Sequence, residues 1–190
     1  DQIDGGAGAD QIDGGAGADQ IVGGSGDDAI LGNTGADTID GGLGADQIDG
    51  GTGDDSILGG EGDDSILGDS GDDYIVGGIG SDAIDGGSGI DEIDYSTDAA
   101  AGGDSGVTVD LSSGTATDGF GDSDTLSNIE NIKGTDEADQ LTGSAADNII
   151  LGEAGDDVIA GLDGADTIDG GSGIDEIDYS TDAAAGGDSG

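Results

Sequence analysis

A carboxylate returns every nine residues in this chain, always in the same setting. Between residues 5 and 94 ten consecutive nonapeptides keep Gly at position one, Gly at position four, Asp at position six and Ile at position eight, without a slip of phase. Asp is the acid whose short arm holds its carboxylate close to the backbone of a tight turn, and oxygen donors of that kind suit a hard divalent cation. The same residues offer little to catalysis. There is no His or Cys, no Ser stands beside a plausible base, and carboxylate pairs are so frequent that no single pair marks a glycosidase. The segment reads as a metal binder and not as an enzyme.

The elements that must position these carboxylates follow from the other places in the unit. Glycines at positions one, two and four permit positive φ and close backbone approach, as a turn requires. The triplet x-Ile-x after each Asp reads as a short strand, with Ile pointing one way and its neighbours the other. A unit is therefore expected to be a six-residue turn and a three-residue strand. Two units facing each other make one coil, with their Ile meeting inside. At strand spacings of ~4.8 Å the ten units would stack into about five coils.

Composition explains why a cation is needed. The chain has 46 acidic residues against one basic residue, Lys133, for a net charge of −45. Such a balance leaves either a disordered polyanion or a fold that depends on counter-cations. Of the acids 40 are Asp and only 6 are Glu, which favours the fold, since solvating tails lean towards Glu. Ten Ile are little apolar surface to set against the backbone entropy of so glycine-rich a segment, and stacked carboxylates repel one another. A divalent cation between successive turns converts that repulsion into coordination, so metal binding and folding are expected to be one event. The charge also argues against nucleic acid and anionic membranes as partners, and no apolar run approaches a membrane span.

Four segments follow: 1–94, a first roll; 95–133, a spacer or flap with a short strand at Val107-Thr-Val-Asp-Leu111; 134–178, a second roll; and 179–190, the start of a second, truncated spacer. In the second roll Glu137 and Ala146 replace Gly at position four, and Asn148 replaces Asp at position six. Leu126, Ile129 and Ile132 are expected to re-enter the core line. Residues 170–190 are identical to residues 86–106, an offset of 84, which suggests a tandem array of longer modules.

The in-phase nonapeptide resembles the repeat of the RTX family, the calcium-binding repeat proteins secreted by Gram-negative bacteria through type I systems. The resemblance covers essentially the whole chain, spacer included. It implies an all-β fold, a right-handed parallel β-roll (a solenoid), with Ca2+ as the ligand. In that family each ion lies between turns 18 residues apart. The lower turn contributes the carbonyls of positions two and four and its Asp; the upper turn contributes the carbonyls of positions one and three and its own Asp. Carried onto this chain, the first edge would hold Gly6, Gly8 and Asp10 under Gly23, Ser25 and Asp28, then Gly24, Gly26 and Asp28 under Gly41, Leu43 and Asp46. Next on that edge come Gly42, Gly44 and Asp46 under Gly59, Glu61 and Asp64, and Gly60, Gly62 and Asp64 under Gly77, Ile79 and Asp82. The opposite edge would begin with Gly15, Gly17 and Asp19 under Gly32, Thr34 and Asp37, followed by Asn33, Gly35 and Asp37 under Gly50, Thr52 and Asp55. It continues with Gly51, Gly53 and Asp55 under Gly68, Ser70 and Asp73, and ends with Asp69, Gly71 and Asp73 under Gly86, Ser88 and Asp91. The resemblance thus implies eight sites in the first roll. In the second it implies up to three, built on Asp139 under Gly152, Ala154 and Asp157; on Glu153, Gly155 and Asp157 under Gly170, Ser172 and Asp175; and on Asn148 under Gly161, Asp163 and Asp166.

Plainer roles are expected for the remaining features. The acids at position five (Asp27, Asp54, Asp63, Asp72, Asp156) and at position nine (Asp13, Asp40, Asp49, Asp85, Asp94) read as solvated surface charges. Val22, Leu58 and Val76 form a partly exposed strand face, and Lys133 a local ion pair. The leading function is a calcium-binding structural or spacer segment of a large secreted RTX protein, of adhesin, surface-layer or extracellular-fibre type, acting outside the cell or at its surface. The alternative is an accessory roll that helps a secreted hydrolase or toxin through type I secretion and folding. Calcium ions are the expected partner; end-to-end self-association and cell-surface or matrix partners stay open.

Overall fold

A computed structural model describes residues 1–103 and 105–179, with the side chains of residues 99 and 100 excepted. Residues 180–190, nearly all of the expected second spacer, lie outside the described residues. Nine six-residue strands open the chain: β1 (Gln2–Ala7), β2 (Gln11–Ala16), β3 (Gln20–Ser25), β4 (Ala29–Thr34), β5 (Thr38–Leu43), β6 (Gln47–Thr52), β7 (Ser56–Glu61), β8 (Ser65–Ser70) and β9 (Tyr74–Ile79). Three-residue strands β10 (Ala83–Asp85) and β11 (Glu92–Asp94) and the short helix α1 (Asp98–Ala101) follow. The interruption holds β12 (Thr108–Asp110), β13 (Thr115–Thr117), β14 (Ser123–Ser127) and β15 (Asn131–Lys133). The chain continues with β16 (Gln140–Thr142), β17 (Ile149–Leu151), β18 (Val158–Ala160), β19 (Thr167–Asp169) and β20 (Glu176–Asp178).

Alternate strands build two sheets. One runs β1-β3-β5-β7-β9-β11-β15-β17-β19; the other runs β2-β4-β6-β8-β10-β14-β13-β12-β16-β18-β20. In the regular part each strand pairs in parallel with the strand 18 residues on, as in Ile21↔Ile39 and Ile39↔Ile57. This is the two-faced solenoid that the nonapeptide implies. All ten position-eight Ile, from Ile12 to Ile93, lie in one buried core, with Ile75 and Ile93 at 0 % exposure. A period of two along each strand puts positions seven and nine outside while Ile stays inside.

Two features depart from the sequence reading. First, β1–β9 run through positions one to three as well as seven to nine, so the strand has six residues and the turn proper only three. The stacked turns account for this, because from Gly8 to Gly71 the N–H of the position-four Gly donates to the position-three carbonyl of the coil above, as in Gly8 to Ser25 at 2.7 Å. Second, the interruption is woven into the roll and is not a side flap with one short strand. β14 pairs in parallel with β10, β13 runs antiparallel to both β14 and β12, and β12 pairs in parallel with β16. In the other sheet β15 alone bridges β11 and β17. One sheet therefore gains two more strands than the other across the interruption. Val107, Val109, Ala116, Leu126, Ile129 and Ile132 are buried in the shared core.

Candidate metal sites

The turns lie along two edges of the roll. Asp10, Asp28, Asp46, Asp64 and Asp82 precede β2, β4, β6, β8 and β10 on one edge; Asp19, Asp37, Asp55, Asp73 and Asp91 precede β3, β5, β7, β9 and β11 on the other. From Asp28 to Asp91 each position-six Asp reaches down to the coil below, where its Oδ1 accepts the backbone N–H of the Asp 18 residues earlier. The bond measures 2.8 Å from Asp10 to Asp28 and 2.7 Å from Asp37 to Asp55. The other oxygen, Oδ2, is buried without a hydrogen-bond partner at all ten positions from Asp10 to Asp91. Ten orphaned carboxylate oxygens in a row are far outside what a folded protein tolerates in the absence of a ligand.

The space around each orphaned oxygen fits a small cation. A Cβ built on Gly23 would meet the Gly41 carbonyl at 2.5 Å and Asp28 Oδ2 at 2.7 Å. Position one must be Gly because a carbonyl from the coil above and the turn's own carboxylate share the space that a side chain would fill. Position four is left-handed in all ten units, from φ +105° at Gly17 to +152° at Gly89. Asn33 (φ 73°) and Asp69 (φ 75°) take the left-handed form at position two, which these residue types accept at small cost. The position-three carbonyls already accept one bond from below; a carbonyl oxygen keeps a second lone pair for a cation. Among the described residues no group of three acidic side chains could hold an ion alone, so a cation here must draw on carbonyls as well.

Electrostatics agree with the geometry. Burial raises Asp46, Asp55, Asp64, Asp73, Asp82 and Asp91, with neighbouring carboxylates adding to the rise and the backbone N–H that each accepts opposing it. Asp55, Asp64 and Asp91 are pushed up to about 6 and Asp82 to about 7. These are carboxylates that resist ionising together unless positive charge is supplied.

The second roll is built differently. Asp139 Oδ2 accepts the Thr135 N–H at 2.7 Å and its Oδ1 accepts the Val107 N–H and the Thr135 hydroxyl, both at 2.8 Å. Asn148 takes the Ser144 N–H on its Oδ1 and donates its amide to the Glu130 carbonyl at 2.6 Å. In both turns a hydroxyl at position two accepts the position-four N–H, from Glu137 and from Ala146. Losing the position-four Gly thus changes the turn, and local donors take over around residue six. Asp157 alone among the position-six residues of this roll has an orphaned buried Oδ2.

The acids expected to be solvated divide into two groups. At position five Asp27, Asp54, Asp63, Asp72 and Asp156 are exposed, yet each accepts a backbone N–H from the turn above, as Asp54 does from Asp72 at 3.0 Å. At position nine Asp94 is buried, which the sequence reading missed. Its burial is offset by hydrogen bonds from Ser96 and Tyr74 and by Lys133 at 3.2 Å, which together hold its pKa below the usual carboxylate range. Val76 is also buried, at 5 % exposure, while Val22 and Leu58 are half-exposed.

Two functional candidates escaped the sequence reading altogether. Asp124 Oδ1 accepts the Asp82 N–H at 3.0 Å, and Glu130 Oε2 accepts the Asp91 N–H at 2.9 Å. The signal was present: Asp124-Thr-Leu126 and Glu130-Asn-Ile132 repeat the acid-x-apolar order of positions six to eight. They stood outside the nine-residue phase.

The RTX calcium-binding nonapeptide repeat (4 copies) matches residues 1–30, 22–57, 58–93, 124–158 and 142–177. No curated protein matches the chain. Among solved structures, the extracellular lipase LipA from Serratia marcescens is similar at 20% sequence identity and a TM-score of 0.38. That match covers 75% of this chain and 32% of the lipase, so the chain spans about a third of its length.

Proposed function

This chain belongs to the family of RTX calcium-binding nonapeptide-repeat proteins, and from that premise we propose that it is a calcium-folded structural segment of a large secreted RTX protein of adhesin, surface-layer or fibre type. The observation that carries the reading is the double row of orphaned, buried Oδ2 atoms from Asp10 to Asp91. Calcium at eight sites between successive turns of the first roll, and at Asp157 in the second, supplies the missing partner. Extracellular calcium modules bind in the range of ~10⁻⁴–10⁻³ M, far above resting cytosolic calcium, and at that affinity the chain stays unfolded inside the cell and orders outside it.

Two further observations favour a length-building role over an appendage. The sheets run through the interruption without a break, so roll and interruption form one elongated body. The identity of residues 86–106 and 170–190 repeats that roll-plus-spacer module. Far-UV circular dichroism during a calcium titration tests the central claim. A cooperative gain of β structure near millimolar calcium is expected, with magnesium failing to substitute because it demands tighter octahedral geometry. A spectrum that stays disordered at ~10 mM calcium overturns the reading. A full-length parent that carries a hydrolase or toxin domain and no further 84-residue modules would favour the accessory-roll alternative.

A further inference from the structure

We infer that the interruption supplies the upper half of one more calcium site on each edge, with Asp124 completing the site above Asp82 and Glu130 completing the site above Asp91. The inference rests on the calcium reading of the regular turns. It concerns residues that lie outside the nonapeptide phase.

Within the regular roll a cation place has a recognisable signature. The lower Asp keeps a buried, unpartnered Oδ2, and its N–H donates to a carboxylate one coil up. Asp82 and Asp91 are the last Asp of their edges, and residues 100 and 109, 18 positions on, are Ala100 and Val109. Both nevertheless carry the full signature. Asp82 is 2 % exposed and Asp91 0 % exposed, and the Oδ2 of each is an orphan. Their N–H groups donate to Asp124 Oδ1 and Glu130 Oε2, carboxylates 42 and 39 residues away. The strands that follow these acids stack as regular coils do, Leu126 over Ile84 and Ile132 over Ile93.

The backbone above Asp91 completes the resemblance. The Asn128 carbonyl crowds the Gly86 Cα as the Gly41 carbonyl crowds that of Gly23, and Asn128 is itself left-handed at φ 51°. Above Asp82 no carbonyl comes down on Gly77. A further acid bears electrostatically on both Asp82 and Asp124: Asp118, 2 % exposed, has its own orphaned Oδ2 while its Oδ1 accepts the N–H groups of Phe120 and Asp122. Asp124 is held there by the Tyr95 hydroxyl, which donates to its Oδ2 at 3.0 Å. Both edges thus end in cation places that join the interruption to the roll, and calcium that folds the roll also docks the interruption on it.

Calcium stoichiometry measured by equilibrium dialysis on the whole chain tests this. Asp124→Asn and Glu130→Gln should each bind one calcium fewer than the parent chain, and the double variant two fewer, with the calcium-induced dichroism of the regular roll retained. Terbium provides a reading that does not depend on those variants folding. Luminescence excited through tyrosine should fall severalfold in Tyr95→Phe, because Tyr95 touches the acid that would bind the ion. Unchanged stoichiometry in both acid variants, or unchanged terbium luminescence in Tyr95→Phe, overturns the inference. A parent chain that binds no calcium at all instead overturns the proposed function, and the two failures are distinct.

Discussion

Asp55→Asn separates a calcium ladder from a ladder held by hydrogen bonds alone, because the two predict opposite signs. Asp55 lies mid-edge: its Oδ1 accepts the Asp37 N–H at 2.7 Å, its own N–H donates to Asp73 Oδ1 at 2.8 Å, and its Oδ2 is buried without a partner. The substitution keeps shape and the Oδ1 acceptor. It removes one charge and puts an amide donor where the orphaned oxygen points. Asn148 shows what the chain does with that group, since its amide donates to a carbonyl and its oxygen is taken by Ser144. Asp55 serves the site below it and the site above it, so two sites are lost. With Kd of ~10⁻⁴–10⁻³ M and ~10 mM calcium, each site contributes RT ln(1 + [L]/Kd), about 1.4–2.7 kcal/mol, and the pair about 3–5 kcal/mol. Denaturant melts in calcium should show that loss, with a stoichiometry lower by two. In calcium-stripped buffer the sign reverses, because relief of repulsion from Asp73 and Asp37 leaves the variant at least as ordered as the parent. A variant that equals or exceeds the parent in calcium, with unchanged stoichiometry, rules out a calcium ladder through Asp55.

Three other outcomes are expected. Buried Asp82, raised to about 7, and Asp55, Asp64 and Asp91, raised to about 6, have folded-state values above the ~3.9 of an unfolded Asp. Their contribution to the metal-free fold is therefore complete below pH ~4 and lost as pH rises through about 6–7. Calcium-stripped chain should gain dichroism on acidification from pH ~7.5 to ~4.5, whereas apparent calcium affinity should weaken over the same window as protons compete. Gly23→Ala drives a Cβ against the Gly41 carbonyl and Asp28 Oδ2; it should lose one calcium by dialysis and about 1–3 kcal/mol in denaturant melts. Ile75→Ala, at a fully buried position, should cost about 2–5 kcal/mol in calcium while leaving the stoichiometry unchanged.

What could be read before the fold was known is everything that the nine-residue period carries. Asp-x-Ile sets the carboxylate and the core residue two apart, and unbroken phase makes residue i meet residue i+18, so Asp37, Asp55 and Asp73 had to share an edge. Position-one and position-four Gly announced turns too crowded for side chains. The period also showed where it failed, at Glu137, Ala146 and Asn148, but not what replaced it: the Thr135 and Ser144 hydroxyls act through turn geometry that a residue pattern does not encode. Strand length was misjudged for a related reason. Residues at positions one to three become strand only because another coil lies on them, a property of stacking and not of the residues. The interruption shows the limit most clearly. Its acid-x-apolar triplets were legible, yet their partners were not, because 42 and 39 residues of separation carry no register. Only the packed structure, in which β14, β13 and β12 enter one sheet while β15 enters the other, decides that Asp124 stands over Asp82 and Glu130 over Asp91. Local repetition determines neighbours wherever the chain repeats; where it stops repeating, burial of Leu126, Ile129 and Ile132 in the common core selects them.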